Sequence, residues 1–524
     1  MTVGRSRAVA LIGMRGAMVD IEVDFSASLP GIVIIGLPDT ALGEARERVR
    51  SAAANSGCPL PPKRITVNLS PAALPKHGSA FDLGIALSAL VAAGKVLAES
   101  VASVVHIGEL GLDGRLRSVP GVLPAVLAAR DAGAQRIMVP AECADEAGLV
   151  GGVEIIAMQS LRAAAEFHGA VFDEPAPAVV SAPAPMIAAS VTEHHNAAVG
   201  AAGDLADVVG NEEAVEALLV AAAGGHHLFM VGPPGAGKTM LASRLTGILP
   251  DLELDAAIEV ACVRSLGALP VRGLPTRPPF ESPHHTASAV ALVGGGSGVI
   301  RPGAISRAAH GVLFLDEAPE LSRVALDALR QPLESGVITV HRAGAIATFP
   351  ANAQLVMAAN PCPCGRQDDD ALDCTCTPMA RRRYLGRLSG PLLDRVDLQI
   401  RVRRVTAAQM LLADDSARRR SSADAAARVA QARGAAIERL AGTGWRQNSQ
   451  VSSGWLTGDE AGGRRLPRSA TAPLDLAFDR GSLSMRGYHR LLRVGWSVAD
   501  LAGASVPTAE HFGMALVFRS AMSA

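Results

Sequence analysis

The sequence predicts an α/β protein of several domains, on three observations. Short β-branched runs alternate with helical stretches through residues 1–171. A glycine-rich loop stands between an apolar strand and a helix near residue 232. Beyond residue 405 the alternation gives way to alanine- and arginine-rich helical patterning. With 524 residues, 49% of them hydrophobic and 19% charged, the chain has globular composition and length for roughly two to four domains.

In chain order, residues 1–171 place strands at IVIIG (32–36) and RITVNLS (64–70) around a helix at ALGEARERVRSAAANSG, which makes one α/β domain. Residues 172–203, with EPAPAVVSAPAPMIAAS, lack an amphipathic period and suit a semi-rigid linker. Residues 204–404 form a second α/β domain: a helix leads into the strand HLFMV, and further strands follow at GVLFLDE (311–317) and AQLVMAAN (353–360). Residues 405–524 read as a third, helical domain, with helix over 406–442, then a polar Gly/Ser stretch as loop and helix again at RGYHRLLRVGWSVADLAG.

The formal net charge of -1 excludes a global basic field, so a polyanionic partner has to be met by local patches. No stretch of about 18 apolar residues without charge is present, which predicts a cytosolic protein with no membrane span and no export signal. The cysteine count of seven is odd, which argues for reduced thiols rather than disulfides.

The octapeptide Gly232, Pro233, Pro234, Gly235, Ala236, Gly237, Lys238, Thr239 matches the phosphate loop G-x-x-x-x-G-K-[ST] in the required strand–loop–helix setting. Backbone N–H groups of such a loop face phosphates, the lysine adds a point charge and the threonine hydroxyl serves Mg²⁺, so ATP and Mg²⁺ are the expected ligands. A second apolar strand ends in Asp316 and Glu317, carboxylates suited to Mg²⁺ and to polarising an attacking water. A third ends at Asn360, whose amide suits orienting that water; the plainer alternative is an asparagine that starts a turn before Pro361.

GPPGAGKT, FLDE and MAANP in this order resemble an AAA+ ATPase. PHHTASAVALVGGGSGVIRPGAISRAAHGVLFLDE, ALRQPLESGVITVHRAG and GPLLDRVDL resemble its magnesium-chelatase-like branch, which inserts hairpins before and within the core. With GLPDTALGEARERVRSA and KRITVNLSPAALPKHGSAFDLGIALSAL they resemble the ComM/YifB family. The resemblance implies a central AAA+ core and a C-terminal helical lid. It implies a finger role for Arg395 toward a neighbouring subunit, the alternative being a surface ion pair with Asp394 or Asp397, and a second sensor role for Arg486. Met485 stands where the family commonly has a small residue. A finger acting in trans implies a homo-oligomer, a hexamer, and the family implies DNA, single-stranded or branched, as partner and branch migration as activity. The alternatives are a magnesium-chelatase-type or protein-remodelling ATPase subunit. Arg381, Arg382, Arg383 and Arg387 with Tyr384 are candidate phosphate contacts, the alternative being a solvated basic loop beside the acidic run, and Arg342 lies on the segment that resembles a pore-facing hairpin.

The N-terminal region is similar to the proteolytic domain of Lon. That chemistry needs a serine activated by a lysine. Here Ala80 falls at the nucleophile position, with Ser79 one place early, and the lysine position falls near Leu123. The expectation is a Lon-like fold without peptidase activity. Finally, Cys362 and Cys364, then Cys374 and Cys376, make two C-x-C pairs suited to one structural tetrahedral Zn²⁺; unligated loop thiols are the alternative.

Overall fold

The computed structural model describes residues 3–36, 40–76, 78–173, 203–296, 300–342, 345–367, 374–406, 420–460 and 462–519. Most of the proline- and alanine-rich segment, 174–202, and the run 407–419 lie outside the described residues.

The N-terminal unit is a mixed seven-stranded sheet in the order Gly31–Ile35, Arg64–Ser70, Arg15–Ser26, Gly4–Ile12, Val105–His106, Arg136–Pro140, Glu154–Met158. The long hairpin Gly4–Ile12/Arg15–Ser26 is antiparallel, and Val105–His106, Arg136–Pro140 and Glu154–Met158 run parallel to one another. The helix Asp82–Ala92 is buried along almost its whole length, because its apolar residues surround it rather than forming one stripe. Gly84 lets it approach the sheet: a Cβ there would stand 2.6 Å from Ile21 Cδ1.

The central sheet has five strands, all parallel, in the order Phe280–Glu281, Val312–Leu315, Gln354–Ala359, Leu228–Val231, Leu398–Arg401. Its three inner strands are buried at every position, as continuous apolar runs covered on both faces should be. A parallel sheet puts all the loops that follow its strands at one edge, the usual place for ligands in such sheets.

The C-terminal segment is helical, with helices Ser422–Arg439, Arg468–Asp479, Met485–Leu501 and Ala509–Val517. It shares one hydrophobic core with a face of the central sheet, running from Leu218 and Met230 to Leu474, Leu491, Trp496 and Phe512. The polar Gly/Ser stretch between the expected helices, read as loop, gives way to the short helix Ser453–Thr457 and the helix Arg468–Asp479. Its buried Ala470 and Leu474, four residues apart, anchor one face to that core, and the packing outweighs the backbone bond lost at Pro473.

The N-terminal unit packs on the central one. Gly121 N–H donates to Ser265 O at 3.1 Å, Ser265 Oγ to Glu146 Oε1, and Leu266 lies with Ala347, Phe349, Leu11, Ile12 and Met14. The hairpin Val337–Arg342/Ala345–Pro350 is thus braced at its base by the first N-terminal turn, and Arg342 ends its first strand opposite Ala345. The insertion before it forms a short antiparallel pair, Gly294–Gly295 with Arg301–Pro302. Among the described residues, no helix is long and apolar enough to cross a membrane.

Candidate nucleotide site

Three loops meet at the edge of the central sheet because three parallel neighbours end there. After Val231 the chain turns through Gly235 (φ +77°) and Gly237 (φ +89°), a left-handed backbone that side chains disfavour, into the helix Lys238–Thr246. Gly232 is required for a different reason: a Cβ there would meet the Val402 carbonyl at 2.1 Å. Lys238 is buried. Its Nζ donates to the carbonyls of Gly232 (2.6 Å) and Pro233 (2.9 Å) and to Asn360 Oδ1 at 3.2 Å. Burial pushes the Lys238 ammonium below its usual range, opposed by Asp316 and Glu317.

Thr239 Oγ1 donates to Asp316 Oδ2 at 2.8 Å, so the hydroxyl and the carboxylate expected to share Mg²⁺ already stand side by side. Asp316 Oδ1 accepts from the Glu317 backbone N–H at 2.9 Å. Glu317 has φ +48°, uncommon for a residue with a side chain, and its half-exposed carboxylate lies 3.5 Å from His285 Nδ1. These donors suit a magnesium–triphosphate: backbone N–H groups, one ammonium, one hydroxyl and a carboxylate pair converge on a single edge. Two direct hydrogen bonds, Lys238 to Asn360 and Thr239 to Asp316, tie the phosphate loop and its helix to both neighbouring strand ends, with Glu317 adjoining Asp316 through its backbone.

Arg395 and Arg486 stand apart from this group with partners of their own. Arg395 Nη1 donates to Pro391 O at 2.8 Å and Nη2 pairs with Glu334, rather than with Asp394 or Asp397. Arg486, four-fifths exposed, has its Nη1 4.0 Å from Asp394 Oδ2. Asp397 is instead buried with His226 and Arg490. Of the basic cluster, Arg387 donates to Glu320 at 2.8 Å, while Arg382 and Arg383 are exposed on the helix Pro378–Leu385. Tyr384 on that helix is buried, and its hydroxyl is pushed up to about 12 by burial, against a hydrogen bond from the Asn360 backbone.

His285, Glu334 and Gly365 escaped sequence reasoning. The doubled histidine in PHHTAS was visible, but nothing local says that it reaches Glu317. In the N-terminal unit, Ser79 Oγ donates to Glu109, while Ala80 and Leu123 sit in an apolar cluster. Lys76, the lysine near Ser79, gives its Nζ to the carbonyls of Gly36, Pro71 and Leu74.

A parallel sheet with phosphate loop, paired carboxylates and terminal asparagine at one edge defines a P-loop protein of AAA+ type. Models of the magnesium chelatase subunit ChlI match residues 21–143 and 204–410, and one of its C-terminal part matches 419–519. The chain is 46% identical over 525 residues to Rv2897c of Mycobacterium tuberculosis, covering 99% of each. It is 41% identical over 517 residues to the competence protein ComM of Haemophilus influenzae and 39% over 513 to YifB of Escherichia coli, covering 98% of this chain and 96% of the relative in both cases. The chain belongs to the ComM/YifB family of magnesium-chelatase-like AAA+ proteins.

Proposed function

We propose that the protein is an ATPase whose hydrolysis drives movement on DNA, a hexameric helicase that promotes branch migration in recombination or natural transformation. The observation that carries the ATPase part is the bonded set Lys238, Thr239, Asp316 and Asn360 with Glu317 beside it. The DNA part rests on near full-length similarity to a relative named as a competence protein. Bound Mg²⁺ supplies charge neutralisation between phosphates. Thr239 and Asp316 hold it, Lys238 meets the terminal phosphates, Glu317 takes a proton from the attacking water, and Asn360 orients that water. Arg395 exchanges Glu334 for the nucleotide of a neighbouring subunit, and Arg486 on the helical lid couples lid position to nucleotide state.

Arg381 to Arg383 and Arg342 are the DNA contacts of this reading, and sixfold repetition in a ring multiplies a small basic patch. A structural Zn²⁺ belongs to the same reading. The N-terminal unit takes a Lon-like fold without peptidase activity, since Ala80 falls at the nucleophile position and the lysine position falls near Leu123, both of them buried or half-buried apolar side chains. A second reading, a chelatase motor subunit, is favoured by the descriptions of the matching family models.

ATP-dependent unwinding and branch movement on forked and four-way DNA, compared for wild type, Lys238→Ala and Glu317→Gln, test the proposal. The expected result is movement by wild type only, with Glu317→Gln still binding ATP. No ATP-dependent movement of any DNA structure by wild type would overturn the DNA part.

A further inference from the structure

We propose that Cys362, Cys364, Cys374 and Cys376 hold one Zn²⁺ ion whose knuckle props the phosphate loop, so that nucleotide affinity depends on the metal. All four Sγ atoms lie within 4.8 Å of one another. Three separations are 3.4 Å (Cys362 to Cys364), 3.7 Å (Cys362 to Cys374) and 3.6 Å (Cys364 to Cys374). Four sulfurs bonded at about 2.3 Å to a tetrahedral centre stand about 3.8 Å apart, so the cluster has the dimensions of a single ZnS₄ site. An iron–sulfur cluster, with several irons and bridging sulfides inside the ligand shell, needs the thiols spread wider. All four are free cysteines, and binding the ion releases their thiol protons to solvent. Four thiolates leave no open position, so the site is structural.

What the knuckle supports follows from its neighbours. Cys362 is fully buried and lies two residues beyond Asn360, which bonds Lys238. Gly365, at φ +75°, closes the turn by donating its N–H to Cys362 O at 3.0 Å. A Cβ on Gly365 would stand 2.6 Å from Pro234 Cδ and 2.7 Å from Cγ, so the turn rests directly on the phosphate loop. The segment 360–365 therefore touches that loop twice, through Asn360 on Lys238 and through Gly365 on Pro234. The metal ties this segment to Cys374 and Cys376. Thr377 follows at once and caps the helix that carries Arg381 to Arg383, accepting from Ala380 N–H at 3.2 Å. One ion thus sets the position of the loop contact and of the basic helix.

The inference rests on the reading of Gly232 to Thr239 as an ATP site, and the experiment separates the two. Full-length wild type, Cys374→Ser, Gly365→Ala and Lys238→Ala are purified without chelator. Metal content is read by mass spectrometry, folding by circular dichroism, and affinity by titration with a fluorescent ATP analogue. Wild type, Gly365→Ala and Lys238→Ala are expected to carry about one zinc per chain and Cys374→Ser almost none. Affinity for the analogue falls ~10-fold in Cys374→Ser and ~5-fold in Gly365→Ala, which keeps all four thiols but displaces Pro234. Wild type without zinc, or with iron in its place, overturns the metal site. Loss of zinc with affinity unchanged, or unchanged affinity in Gly365→Ala, overturns the coupling. If Cys374→Ser does not fold, wild type stripped of zinc by a chelator takes its place, and affinity unchanged there overturns the coupling. Zinc-loaded wild type that binds no analogue refutes the ATP reading and leaves the metal site standing.

Discussion

Lys76 and Lys238 invite comparison, because each is a buried lysine close to a bend after a strand, and each ammonium is held by backbone carbonyls. An ammonium has three N–H donors. Lys76 gives its donors to Gly36, Pro71 and Leu74, and is a structural cross-brace. Lys238 gives two donors to carbonyls and the third to Asn360, with Asp316 and Glu317 near enough to raise its affinity for a proton. The same residue type in similar burial is a fastening in one unit and part of the candidate nucleotide site in the other. The difference lies in whether its last donor meets backbone or a side chain from another strand.

The comparison breaks most visibly at Lys238. Lys238→Ala is expected to reduce ATP hydrolysis by ~10²-fold or more, read by phosphate release, because a preorganised charge on the phosphates is lost. Thermal unfolding should change little, since the loop carbonyls it releases can turn to water.

Lys76→Met is the reciprocal experiment. Three carbonyls lose their donor, and the N-terminal unit should lose about 3 kcal/mol of stability in denaturant unfolding, while analogue binding at the central site stays at its wild-type value. A loss of nucleotide affinity in this variant would mean that the two lysines are not separable in function.

A smaller effect sharpens the contrast on the acidic side. Asp397 ties the central sheet to the C-terminal helices: its Oδ2 lies 3.1 Å from His226 Nδ1, and His226 Nε2 is 2.8 Å from Ser497 Oγ. Burial works against its charge, but the hydrogen bond from His226 and the charges of His226, His227 and Arg490 prevail and hold it at about 2. A carboxyl depressed on folding adds stability that is complete above its unfolded value, near pH 4, and disappears as pH falls through its folded value. The central region should therefore lose about 2 kcal/mol between pH ~4 and ~2, and Asp397→Asn should flatten that part of the stability profile.

The smallest expected effect is at Ser79. Ser79→Ala removes one hydrogen bond to Glu109 and should cost about 1 kcal/mol, and a serine-hydrolase probe should label neither form. Labelling of wild type but not Ser79→Ala would assign the N-terminal unit a chemistry that Ala80 and Leu123 argue against.

Much of the candidate site was legible before folding, because its pieces are local. GPPGAGKT declares a phosphate loop through glycine positions that a left-handed backbone demands, and VLFLDE declares a buried strand opening onto carboxylates. The strands expected at 32–36, 64–70, 311–317 and 353–360 form over Gly31–Ile35, Arg64–Ser70, Val312–Leu315 and Gln354–Ala359. The helix Arg468–Asp479 was illegible, since Pro473 stands inside it and reads as a helix breaker, and only the tertiary core that takes Ala470 and Leu474 outweighs that signal. Glu334 beside Arg395 and His285 beside Glu317 were hidden for a related reason: each pair joins side chains from segments far apart in the chain.

The sequence by itself determined the elements whose signal lies within one turn or strand: the phosphate loop, the acidic strand end, the terminal asparagine and the paired C-x-C motifs. Tertiary structure alone decided which of these meet. Parallel pairing of Leu228–Val231, Val312–Leu315 and Gln354–Ala359 carries Lys238, Asp316 and Asn360 to one edge. Packing at Gly365 then lays the cysteine turn on Pro234. Contacts over more than a hundred residues leave no periodic trace in the chain, because they are set by how sheets and cores close rather than by neighbours in sequence.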